Sequence, residues 1–192
     1  MRIILISILL VSLQSFSQAQ NIKEFEIEGI SVGDSLLNFF DAEKIKSGIS
    51  NTLYKSDKFV KVDLRSPKFE TYEILQFHVK KNSNYTISMI SGGIFFDDIN
   101  DCHKKMIEMD KDVSDIFKNL DRKESGPSKH RADASGESTF KSIYYYLDNR
   151  DGFRVSCFDW SEKFTKERNY FDHLKLTIFT DEVRLWIINE AY

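Results

Sequence analysis

The chain has 192 residues, a formal net charge of −3, two cysteines, two prolines and 16 phenylalanines, with 30% charged and 14% aromatic residues. These figures exclude a disordered chain, a miniprotein built on several disulfides and a repeat array, and they disfavour a basic nucleic-acid binder. One domain remains, large enough to bury roughly 70% of its unfolded surface.

Residues 1–19 read as a secretory signal peptide. Arg2 supplies the positive start, Ile3 to Leu13 is an apolar run broken only by Ser7 and Ser12, and Ser17-Gln18-Ala19 places small residues where a signal peptidase cuts. Cleavage is expected after Ala19, leaving 20–192 as a single secreted or periplasmic domain. The alternative is an uncleaved anchor, but the run is shorter than the roughly 20 residues a spanning helix needs. No later stretch could span a membrane, and no cysteine near the cut could carry a lipid.

Export changes the meaning of Cys102 and Cys157. Ile99, Cys102, Met106, Met109, Val113, Ile116 and Leu120 recur at helical spacing, so Cys102 sits on the apolar face of a long helix. Cys157 shares an alternating strand face with Phe153 and Val155. Both point to one core, and in an oxidising compartment they are expected to pair. The catalytic alternative has no CxxC, and His103 projects about 100° away around the helix.

In chain order, Ile22 to Ile30 reads as a strand, and Gly29 and Gly33 bracket a turn. A short helix capped by Asp34 or Ser35 begins at Leu36, and a second, from Ala42 to Ser47, is capped by Asp41 and stopped by Gly48. Strands are expected at Phe59–Leu64, Tyr72–Lys80 and Tyr85–Ile90, with Gly92-Gly93 closing this half. The long helix then covers about Asp98 to Leu120, its acidic start and basic end matching the helix dipole. Residues 121–138 read as a mobile loop. Strands follow at Phe140–Leu147 and Phe153–Trp160, then a charged loop at 161–170, then a hairpin of Leu174–Thr180 with Val183–Ile188. Short turns between strands mean antiparallel pairing. The fold class is α+β, with one short N-terminal helix, one long central helix and a helix-then-strands pattern occurring twice. Whether the strands form one sheet or two stays open.

The segment Ile27-Glu28-Gly29-Ile30-Ser31-Val32-Gly33-Asp34-Ser35-Leu36-Leu37 resembles the opening of small secreted bacterial envelope proteins, namely envelope-assembly lipoproteins and beta-lactamase-inhibitor-like domains. The resemblance covers about 25 residues. It implies a noncatalytic envelope module, although the lipidated cysteine of those lipoproteins is missing and Ser47-Gly48-Ile49 stands where many have Gly-Pro.

Three catalytic signatures are absent from the sequence: there is no HExxH, GxGxxG or GxxxxGK[ST], while GxSxG is matched once, by Gly29-Ile30-Ser31-Val32-Gly33 in the N-terminal turn. His78, His103, His130 and His173 share no metal-ligand spacing. Asp97, Asp98, Asp101 and His103 form the densest ligand group, and helix capping accounts for it. No cofactor or metal is expected. Asn84-Tyr85-Thr86 matches a glycosylation acceptor at a hairpin turn. The loop around Lys123, Lys129, His130 and Arg131 interleaves acids and carries no aromatic to stack a base.

The C-terminal strands carry the strongest functional signal. One face holds Ile143, Tyr145, Leu147, Phe153, Val155, Cys157, Leu174, Leu176, Ile178, Val183, Leu185 and Ile187. The other holds Tyr144, Tyr146, Phe158, Trp160, Phe179, Trp186 and Ile188 among Ser142, Arg154, Ser156, Lys175, Thr177 and Arg184. A solvated face should not carry so many rings. Either the N-terminal half covers it, or it binds a protein or cell-envelope component through Tyr144, Tyr146, Arg154, Phe158, Trp160, Arg184 and Trp186. The alternative function is a small secreted hydrolase with a site assembled around His173 or His103.

Overall fold

Alternating side chains along seven strands build one antiparallel sheet in the computed structural model, which describes residues 21–50, 54–81, 83–117 and 120–191. The predicted signal peptide lies outside the described residues. The first strands are short: β1 (Glu26–Ile27) and β2 (Ile30–Ser31) form a separate two-stranded hairpin whose turn places Glu28 and Gly29 at positive φ. The single N-terminal strand expected at Ile22–Ile30 is thus a 3-10 turn at Ile22–Glu24 followed by this hairpin. A second 3-10 turn covers Leu36–Asn38, and α1 covers Ala42–Ser47, with Asp41 accepting from the Lys44 amide at 2.7 Å.

The large sheet holds β3 (Phe59–Leu64), β4 (Ile74–Lys80), β5 (Ile87–Phe95), β6 (Asp121–Lys129), β7 (Thr139–Tyr146), β8 (Gly152–Asp159) and β9 (His173–Phe179). Their order across the sheet is β3-β4-β5-β9-β8-β7-β6, with every neighbour antiparallel. The question of one sheet or two is answered by β9, which leaves β8 by way of α3 (Glu162–Arg168) and returns between β5 and β8. Gly92 and Gly93 do not close a half; they lie inside β5.

One face of the sheet is sealed. Helix α2 (Ile99–Ile116) starts at its Asp98 cap and lays Cys102 and Met106 on β8 and β9, while Ile22, Ile27, Ile30, Val32, Leu36 and Ile45 cover the half built from β3 to β5. Cys102 bonds Cys157 with Cα atoms 6.0 Å apart, as their shared core face predicts. Both the N-terminal segment and the long helix therefore cover the same face, which leaves the other for separate treatment.

Three elements differ from the sequence reading, each for a physical reason. Residues 121–129 form strand β6 where a mobile loop is expected at 121–138. DRKESGPSK lacks the period-2 apolar signal because β6 is the sheet edge, wet on both sides. Its ladder to β7 and ion pairs such as Arg122–Asp110 at 2.7 Å and Lys141–Glu124 at 2.7 Å hold it, and its charges guard the edge. Residues 130–138 turn around Asp133, whose carboxylate accepts from Ser135, Ser138 and Ser161. Residues 162–168 are a helix because Ser161 caps them and Asn169 ends them in the left-handed region at φ 57. Finally, Asp181–Asn189 forms helix α4, not a strand: Thr180 caps it, and Val183 and Trp186 fall three apart on its buried side.

Candidate functional site

The second sheet face is ordered in rows by the strand register. The central row crosses all seven strands through Asp63, Gln76, Ser91, Thr177, Arg154, Tyr144 and Lys123, all of them polar. Beside it runs Ile74, Gly93, Lys175, Ser156, Ser142 and Ser125. Bonds run within each row and once between them. Ser91 and Thr177 share a 3.0 Å hydroxyl pair, Ser142 and Ser156 a 2.7 Å pair, and Lys175 Nζ donates to Gln76 Oε1 at 2.5 Å. An antiparallel sheet with one packed face usually turns hydrated polar groups outward. Here Ser91, Thr177, Ser142 and Ser156 are buried beneath taller neighbours.

Apolar structure closes both ends of this strip. Toward one end, α4 inserts Val183 and Trp186 against Phe59, Met89 and Phe179. Trp186 is fully buried, and its Nε1 donates to Ser56 Oγ at 3.0 Å. Toward the other end, Phe95, His173, Phe158 and Phe140 form a ring row. His173 stacks on Phe158 with centroids 4.7 Å apart, and Trp160 stacks on Phe164 of α3 at 5.1 Å.

The structure distributes the seven candidate binding residues unevenly. Tyr144 and Tyr146 stack at 6.0 Å on β7, and the Arg154 guanidinium lies 5.6 Å from the Tyr144 ring, so these three stand together and half exposed. Phe158 and Trp160 join the ring row and are buried, Trp160 retaining 7% exposure. Arg184 and Trp186 stand on α4 and not on a strand. Arg184 pairs with Asp181 at 2.5 Å, and Trp186 serves as packing. Lys175 belongs with the first group by position. A lysine between Leu174 and Leu176 signals only a solvated strand side chain in sequence, and Gln76 and Ser91 gave no sequence signal, since their strands pair with β9 only in the folded chain.

Electrostatics single out Lys175. Burial, reinforced by the nearby Lys61 and Arg154 charges and partly opposed by Asp63, lowers its amine to about 7. Burial also lowers His78 to about 3, with help from Lys61 and Lys175, and His173 to about 4, with help from Lys175. Both imidazoles are therefore neutral near pH 7. The Phe171 carbonyl, 2.8 Å from His173 Nδ1, can only accept, so Nδ1 carries the proton and Nε2 is a free lone pair. No hydroxyl among the described residues bonds to that nitrogen, and His103 stands on α2, whose apolar side faces the sealed face of the sheet. No group of three or more acidic, histidine or cysteine side chains among the described residues could hold a metal, and no described helix is long and apolar enough to cross a membrane.

The Lys175 shift has a stability consequence whose sign is fixed. The folded value lies below the ordinary 10.5, so folding favours the neutral amine, and the unfolded chain binds the extra proton between about 7 and 10.5. Stability rises with pH across that window, and the full penalty is present below it. Lys175→Met is expected to be stabilised by roughly 2 kcal/mol at pH 6, a figure discounted because the residue as a whole is only half-buried, with the gain fading toward pH 10. Urea melts of both proteins at pH 6, 8 and 10 check this; a gain independent of pH would contradict it.

By architecture the chain is an α+β protein built on one seven-stranded sheet and a small two-stranded one, with one face of the large sheet sealed and the other closed only at its ends among the described residues. No protein-family model, curated protein or solved structure matches it.

Proposed function

We propose that the chain is an exported, noncatalytic binding module whose recognition surface is the polar strip of the second sheet face, engaging a protein or cell-envelope component. The observation that carries the reading is the pair Lys175 and Arg154. Each is half-buried on this strip, and neither has a carboxylate partner within salt-bridge distance among the described residues. A cation withdrawn from water without a counter-charge destabilises the free protein, which is a signature of function before stability. Noncatalytic use fits the hydroxyls of the strip, which pair with one another and not with a histidine.

Export is part of the same proposal. It draws on the leader-like first 19 residues, the envelope-protein resemblance of Ile27–Leu37 and the Cys102–Cys157 bond, since such bonds persist in oxidising compartments. The test replaces Tyr144 or Lys123 on the strip, and Lys104 on the exposed side of α2, by a photoreactive amino acid in cells that export the protein. Adducts are expected from the strip positions and not from Lys104. Equal labelling at all three, or labelling from Lys104 alone, would remove the binding-face reading. A mature N-terminus at Gln20 is expected from the same preparation.

A further inference from the structure

We infer that Lys175 and Arg154 form a carboxylate-binding pair, and that the ligand is a monoanionic amphiphile whose apolar body runs over Gly93 toward Phe95. This rests on the binding-face reading and names the chemistry of its ligand.

The charge pattern supplies the first argument. Arg65, beside the Phe95 ring at one end of this face, donates to the Glu73 carbonyl at 3.4 Å, whereas Lys61 with Asp63 at 3.0 Å, Lys123 with Asp121 at 3.1 Å and Arg184 with Asp181 at 2.5 Å have acidic partners. Arg154 and Lys175 do not. Register places Arg154 opposite Thr177 and Lys175 opposite Ser156, so the two are diagonal neighbours on one face of β8 and β9. Diagonal cross-strand neighbours lie about 7–8 Å apart, within reach of long side chains, and like charges so placed oppose folding. An anion bridging them removes that repulsion and supplies the missing counter-charge.

The available donors fit a carboxylate. Arg154 Nε is buried and meets no acceptor among the described residues, although an arginine fork is built for bidentate oxyanion contacts. Lys175 already donates to Gln76 and keeps further donors. The hydroxyls below are satisfied by each other, so they do not compete for the ligand. Asp63 acts on Lys175 from the same row system, and its Oδ1 is buried without a donor, which opposes a dianion and favours a single negative charge.

The space for the body lies beside the lysine. Gly93 stands between Ile74 and Lys175 in the second polar row, and a Cβ added there would meet only Ile74 within 4 Å. Gly93 itself is buried, and the surface beside it is made by Ile74 and, two residues along β5, Phe95. Both are apolar and half-buried, so this edge of the charged pair is lined for a hydrocarbon or ring.

The test uses the exported, disulfide-bonded chain and three probes below their micelle concentrations: laurate, dodecyl phosphate and dodecyl maltoside. At a hundredfold excess over its Kd, laurate is expected to raise Tm by about 5 °C or more. Lys175→Met and Arg154→Met are each expected to weaken laurate at least tenfold while still unfolding cooperatively, and Lys175→Arg is expected to retain binding. No laurate shift, an equal shift with dodecyl maltoside, or full binding by both methionine variants would overturn the inference. Tighter binding of dodecyl phosphate would overturn the carboxylate assignment. Photoadducts from Tyr144 without laurate binding would sink the ligand class alone; loss of both would sink the binding face as well.

Discussion

A Cys102→Ala/Cys157→Ala double variant is expected to unfold with about 4 kcal/mol less stability than the oxidised protein. The bond closes a loop with a sequence separation of 55, and a chain-entropy estimate for a loop of that length gives this magnitude. The position of the bond adds to its effect. It ties α2 to β8, so the helix that seals the C-terminal half of the sheet remains near it in the unfolded chain. Urea unfolding of the oxidised protein, the reduced protein and the double variant checks this. Reduced protein and variant should agree, and a variant as stable as oxidised wild type would contradict the estimate. Free-thiol titration of denatured, exported protein should find no thiol.

Trp186→Ala is expected to cost about 3–5 kcal/mol, the usual range for deleting a buried large aromatic side chain. Trp186 is fully buried, lies 5.1 Å from the Phe59 ring and 4.8 Å from Tyr54, and anchors the second core cluster. Its loss also removes the bond from its Nε1 to Ser56. Helix α4 covers that end of the face through few residues, so its release should expose Met89 and Phe179. A drop in the urea midpoint with increased binding of a hydrophobic dye is the expected result. An unchanged midpoint would mean that α4 is not held by this ring. The same experiment on Trp160→Ala separates the two tryptophans, because Trp160 packs on α3 and the ring row and not on α4.

The alternating faces of β7, β8 and β9 were readable because period-2 sorting depends only on local geometry. Ile143, Val155, Cys157 and Leu174 fall on the sealed side as that alternation requires. The cysteine pairing was readable for the same reason, since each cysteine sat on an apolar face whose direction its own element determines. Asp41, Asp98 and Gly48 likewise mark helix ends through backbone hydrogen bonds within a turn or two. Val183–Ile188 misled because Val183, Leu185 and Ile187 alternate like a strand, while Val183 and Trp186 also satisfy a helix. Local pattern does not choose between those periods; packing of Trp186 against Phe59 does.

The composition and the period of the apolar residues by themselves determined an α+β chain with one core cross-link, because burial and helix or strand geometry act over a few residues. Only the tertiary structure decided that β9 enters between β5 and β8, that β6 completes the edge, and that both the N-terminal segment and α2 cover one face. Those outcomes depend on pairings between residues far apart in the chain, for which no local spacing exists. The candidate site follows the same division. Tyr144, Tyr146 and Arg154 were visible on one strand pair, whereas Gln76, Ser91 and Gly93 reached Lys175 only when β5 paired with β9.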